Sequence, residues 1–137
     1  MINETDIRII FADTDAMGIV YNGTYISFFE RGRTEYLREL GYPYKRIEEE
    51  GMKLPVGAVT CQYKHPAYAD DLLTIKTWIK ELKGATVTMA YEIVNKETGT
   101  TCVTGTSTHP ITNRDLKPIR FKKECPELYQ LIKDSME

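Results

Sequence analysis

Apolar residues follow two different periods along this chain of 137 residues, and the change between them divides its structure. In TYISFFERGRTEYLREL (24–40), Tyr25, Phe28, Phe29, Gly32, Tyr36, Leu37 and Leu40 recur three and four residues apart. At 3.6 residues per turn that spacing lines one face of a helix. Arg31, Arg33, Glu35, Arg38 and Glu39 are predicted on the other face. Gly41 stands where a helix takes its stop, and YPYKRIEEEG (42–51) offers a proline start, one or two acidic helical turns and a second glycine stop. Ahead of the long helix, TDIRIIF (5–11) has the β-branched content of a short strand.

From Lys53 the period falls to two. LPVGAVTCQYKHPA, DDLLTIKTWIKELK and ATVTMAYEIVNKETGTTCVTGTSTHPITN alternate apolar and polar residues, with turn signals at His65-Pro66, Lys83-Gly84 and KETGT (96–100). About four long antiparallel strands follow, the last two as a hairpin. DLKPIRF (115–121) then leaves the sheet, and PELYQLIKDSM (126–136) reads as an amphipathic helix with Pro126 at its first position. The order strand, long helix, run of strands predicts an α+β fold, one long helix packed on a roughly five-stranded antiparallel sheet, in a single domain spanning 1–137. Gly32 in mid-helix costs stability relative to Ala, so its expected use is to let a strand or helix approach closely.

Composition narrows the function classes. At 15.8 kDa with 42% hydrophobic and 28% charged residues, the chain is long enough for one core and too short for two. A net charge of -2 argues against nucleic acid as a partner, since a phosphate backbone demands an excess of Lys and Arg. Cys61, Cys102 and Cys125 are odd in number and lack metal-ligand spacing, so reduced, mostly buried thiols are expected. There is no basic start followed by an apolar stretch, and no uninterrupted apolar run of about 18 residues, which makes a soluble cytoplasmic protein the expectation.

The chemistry concentrates in FADTDAMGIVYNGTYISFFERGR (11–33), where Asp13 and Asp15 stand on the strand-to-helix connection. A calcium loop fits poorly, because Met17 replaces the third oxygen ligand and Thr24 stands where a bidentate Glu belongs. A magnesium pair would be accompanied by a phosphate-cradling loop or further carboxylates. Two readings remain. Either Asp can bond backbone N–H groups of the connection, the reading preferred for Asp13. Alternatively one carboxylate is held near the positive end of the long helix as base or nucleophile, beside free N–H groups able to hold an oxyanion.

The segment FADTDAMGIVYNGTYISFFERGRTEYL, followed by strands that include YADDLLTIKTWI, resembles the 4-hydroxybenzoyl-CoA thioesterases and YbgC-type acyl-CoA thioesterases of the hotdog fold, from about Ile7 to Phe121. The resemblance implies that Asp15 is the catalytic carboxylate, acting as nucleophile on the thioester or as general base for water. It also implies oxyanion donors at the start of the long helix, with Asn22 matching the principal donor position. YbgC-like members often carry His there, which this chain lacks. His65 and His109, each before a proline, read as structural or surface residues.

For substrate, Met17, Gly18, Tyr21, Tyr25 and Phe29 are the expected acyl-pocket residues, and Lys83 and Lys117 the expected phosphate contacts of CoA. The basic run RDLKPIRFKK (114–123) also suits an acyl carrier protein. Hotdog subunits pair sheet edge to sheet edge with the site between them, so a homodimer or homotetramer is implied, which also hides an edge strand. The resemblance implies an acyl-CoA thioesterase needing no cofactor and no metal. The competing readings are a non-catalytic hotdog protein that binds acyl thioesters or acyl carrier protein, and a hydroxyacyl thioester dehydratase, which would use a histidine.

Overall fold

The computed structural model describes residues 1–136. Strand β1 (Asn3–Arg8) leads through a 3-10 turn at Phe11–Asp13 to the long helix α1 (Thr24–Glu39) and the short helix α2 (Tyr44–Glu49). Strands β2 (Ala58–Tyr63), β3 (Leu72–Leu82), β4 (Thr86–Asn95) and β5 (Thr101–Pro110) follow, then helices α3 (Phe121–Glu124) and α4 (Pro126–Ser135). The strands form one antiparallel sheet in the order β1-β3-β4-β5-β2.

Alternation along the strands sets one buried face. Leu73, Ile75, Thr77 and Ile79 of β3, Val87, Met89, Tyr91 and Ile93 of β4, and Val103, Gly105, Ser107 and His109 of β5 turn toward α1, which answers with Tyr25, Phe28, Phe29, Tyr36 and Leu37. Two glycines make this contact close. A Cβ at Gly32 would overlap Thr77 Oγ1 and stand 2.9 Å from Ile75 Cγ2, so α1 rests directly on β3. In the strand layer, Gly105 pairs with Tyr91 and Cys61 on either side. Phe29 stacks on Tyr91 with ring centroids 4.2 Å apart and planes 6° apart, and its ring end covers Gly105.

Thr77 Oγ1, beneath Gly32, has no hydrogen-bond partner among the described residues. A buried orphan hydroxyl costs about 1–3 kcal/mol. Thr77→Val keeps the shape and removes the cost, and is expected to stabilise the fold by about 1 kcal/mol in urea unfolding.

A polar chain crosses the same layer. Tyr91 Oη and Ser107 Oγ lie 2.5 Å apart, Ser107 Oγ and His109 Nε2 2.7 Å, and His109 Nδ1 is 3.2 Å from the Leu54 carbonyl oxygen. Burial, with the Arg33 charge adding to it, holds the His109 imidazole below its usual value of 6.5. The folded chain therefore refuses a proton that the unfolded chain accepts. Stability from this group is complete above the unfolded value and is lost as pH falls toward the lowered folded one. In His109→Gln the fall of the urea midpoint as pH drops below the unfolded value should lose this contribution.

Several sequence expectations are revised. The first strand ends at Arg8 rather than Phe11, because Ile10–Asp13 closes a turn of its own. Arg33 is half-buried instead of facing outward, close enough to influence Tyr91 and His109. It borders a void of about 20 Å³ shared with Leu37 and His109. DLKPIRF does not simply leave the sheet: Thr112 bridges both Lys53 and Pro118, and Phe121 is fully buried. The three cysteines are free, Cys102 buried and the others half-buried. No helix among the described residues is long and apolar enough to cross a membrane.

Candidate active site

The connection between β1 and α1 is folded by its own carboxylates. Ile10 N–H donates to Asp13 Oδ2 at 2.9 Å and Asp13 N–H returns a bond to the Ile10 carbonyl at 3.0 Å, so Asp13 closes the 3-10 turn. Its carbonyl also accepts from Tyr21 N–H at 2.9 Å and from Thr24 Oγ1 at 3.3 Å. Asp13 is thereby occupied in holding the entry to α1.

Asp15 stands in a second, tighter turn. Thr14 and Val20 pair as an antiparallel bridge, Asp15 N–H donates to the Ile19 carbonyl and Gly18 N–H to the Asp15 carbonyl, both at 2.9 Å. Gly18 has φ +79°, the left-handed region that side chains avoid, and this lets the chain reverse here. Met17 N–H fixes Asp15 Oδ1 at 2.8 Å, while Oδ2 makes no hydrogen bond among the described residues. One carboxylate oxygen is anchored and the other is free.

Val20 N–H donates to the Ala67 carbonyl at 2.9 Å, which ties this turn to the segment that follows β2. A cavity of about 420 Å³ opens between them. Asp15, Met17, Asn22 and Tyr25 line it from one side, and Tyr63, Lys64, His65 and Pro66 from the other. Helix α1 begins here with Gly23 as its cap and no side chain bonded to its first turn. The N–H groups of Asn22, Gly23 and Tyr25 donate to no acceptor among the described residues, so the helix start presents unpaired donors.

Tyr63 braces this corner. Its hydroxyl donates to the Asn22 carbonyl at 3.0 Å, and its ring lies 5.9 Å from that of Tyr25, which in turn meets Phe28 edge-on at 5.8 Å. The Cys61 thiol beside it and partial burial push the Tyr63 phenol up to about 12. It remains a donor at any physiological pH. Burial likewise raises the Tyr25 phenol.

The expected site residues are thus divided. Asp15, Asn22, Met17 and Tyr25 share the cavity, and Gly18 shapes the turn that carries Asp15. Phe29 is sealed in the core against Tyr91. Tyr21 is half-exposed and its ring covers Gly23 outside the cavity. Lys83 pairs with Glu81 at 3.2 Å in the β3–β4 turn, and Lys117 is held by Asn113 in the loop after β5. Both stand at the far end of the sheet, because the 11 residues of β3 carry the chain roughly 35 Å from the cavity. The residues at the end of β2 were legible only as a strand end with a His-Pro turn. Nothing local announces that they return to Asp15.

Residues 9–128 match the Thioesterase-like superfamily. The chain is 32% identical over 127 residues to a putative acyl-CoA thioesterase, YneP, of Bacillus subtilis, covering 92% of this chain and 91% of that one. It is 34% identical over 131 residues to the acyl-CoA thioesterase YbgC of Haemophilus influenzae, covering 93% of each. Its backbone superposes on the DHNA-CoA thioesterase of Staphylococcus aureus with a TM-score of 0.92 at 29% identity, over 97% of this chain and 89% of that one. With the sheet, the helix laid across it and the carboxylate loop in place, these matches make the chain a member of the thioesterase-like superfamily, a thioester hydrolase on the hotdog fold.

Proposed function

We propose that the protein hydrolyses acyl- or aroyl-CoA thioesters to the carboxylic acid and CoA, with Asp15 as nucleophile or general base. The observation that carries this reading is that Asp15, with one carboxylate oxygen unbonded, lines the same cavity as Asn22 and Tyr25, whose N–H groups are unpaired among the described residues. A thioester carbonyl between them would meet a carboxylate at carbon and donors at oxygen. One such donor commonly lowers the barrier by about 3 kcal/mol. Asn22, at the cavity edge, adds a side-chain amide that can donate to the same oxygen. Met17 and Tyr25 offer an apolar wall for the acyl group.

The basic residues suit this reading in a dimer. Strand β2 is an edge, with Val59 and Tyr63 exposed on the face that should be covered. Two copies joined antiparallel along β2 would run each strand against its own reverse. The far end of one sheet, carrying Lys83 and Lys117, then approaches the Asp15 cavity of the other copy, where CoA phosphates need cations.

Thiol release from short, long and aromatic acyl-CoAs tests the activity. Turnover of one class supports it, and binding without turnover of any would favour the non-catalytic reading. Lys83→Glu with Lys117→Glu should raise KM for acyl-CoA about ten-fold while leaving the matching N-acetylcysteamine thioester, which lacks the nucleotide, unchanged. An equal KM for both substrates in the variant would remove these lysines from the CoA site.

A further inference from the structure

Resting on the thioesterase reading above, a second chemical group can be assigned. Hydrolysis moves one proton from water to the departing sulfur, so the cavity needs a group that both takes and gives a proton. Tyr63 stays protonated, its phenol held up at about 12. Lys64 brings an ammonium, which has no lone pair to accept with. His65 brings an imidazole, whose second ring nitrogen can accept a proton and give it back.

Its setting suits proton transfer. His65 Nδ1 lies 3.0 Å from the carbonyl oxygen of Thr101, at the start of β5. A carbonyl only accepts, so Nδ1 carries the hydrogen and Nε2 is left with a lone pair. The same Nδ1–H bond survives in the imidazolium, so Nε2 can gain and lose a proton without the ring turning. Nε2 has no partner among the described residues. The backbone beneath is fixed as well, with His65 N–H bonded to the Cys102 carbonyl at 3.1 Å and Pro66 following. Two residues on, the Ala67 carbonyl holds the Asp15 turn through Val20.

Taking Asp15 as the nucleophile, one of the two roles proposed for it above, we infer that His65 Nε2 is the proton carrier of this site. Asp15 Oδ2 bonds to the acyl carbon, and the C–S bond breaks with its electron pair going to sulfur, leaving CoA thiolate and an acyl–Asp15 anhydride. Water then bonds to the acyl carbon as Nε2 takes one of its protons. The anhydride C–O bond breaks with its pair returning to Asp15, and the imidazolium passes the proton to the thiolate. The sum is thioester plus water giving carboxylic acid plus thiol.

The test is rapid-mixing measurement of thiol release by the purified protein and His65→Gln, whose amide can still donate to Thr101. Since the histidine acts only in the second step, the variant should release a burst of one equivalent of thiol per site and then turn over about 100-fold more slowly. Free imidazole should restore the slow phase. A variant within about three-fold of native turnover, or one that is slow without a burst, overturns the assignment while leaving the thioesterase reading intact. A native protein inert toward every thioester overturns both.

Discussion

Asp15→Asn is expected to lower kcat for the preferred thioester about a thousand-fold while leaving the fold intact. The amide oxygen can still accept the Met17 N–H that now holds Oδ1 at 2.8 Å, so the turn around Gly18 keeps its shape. What disappears is the negative charge on the free oxygen, which a nucleophile or base requires. Asp13→Asn is the control. That carboxylate is spent on the Ile10 N–H at 2.9 Å, a bond that an amide oxygen can also accept. Its cost should be at most about 1 kcal/mol of stability, with turnover within a few-fold of native. Thiol release and thermal unfolding measured on both variants check the pair. Equal turnover in native and Asp15→Asn protein would sink the carboxylate mechanism.

Gly105→Ala should be the most damaging single methyl group in the sheet, with an expected loss of about 3 kcal/mol in urea unfolding. Its Cβ would stand 2.6 Å from Phe29 Cζ and overlap the carbonyl oxygen of Thr60. Neither neighbour can move aside. Thr60 belongs to the backbone of β2, and Phe29 is fixed by its stack on Tyr91 at 4.2 Å. Gly32→Ala also collides, but there the first atom met is the hydroxyl of a side chain, and the helix gains about 1 kcal/mol of propensity in return. The smaller loss is therefore expected at Gly32. Phe29→Leu combined with Gly105→Ala should cost less than the sum of the two single changes, because removing the ring frees the space that the methyl needs. Strict additivity would show that Thr60, and not Phe29, sets the penalty.

Local pattern alone determined the elements. The period of 3.6 from Tyr25 to Leu37 specifies α1, the period of 2 with the KETGT turn specifies the β4–β5 hairpin, and Pro126 marks the start of α4. These features depend on residues within a few positions of one another, so they are written in order along the chain. The motif around Asp13 and Asp15 was equally legible, since each carboxylate bonds backbone two or three residues away. Only the tertiary structure decided that β2 closes the sheet beside β5, whose residues lie 40 to 50 places further along the chain, and so brings Tyr63 and His65 to Asp15. It also decided that Phe29 is core while Tyr25 lines the cavity, although both lie on the apolar face of α1. Periodicity says which face is covered, but what covers it at each level is set by the neighbouring strand. Near Tyr25 that neighbour is the open edge strand, and one turn deeper it is Tyr91 over Gly105. The resemblance assigns Lys83 and Lys117 to the site, yet the length of β3 keeps them at the other end of their own sheet.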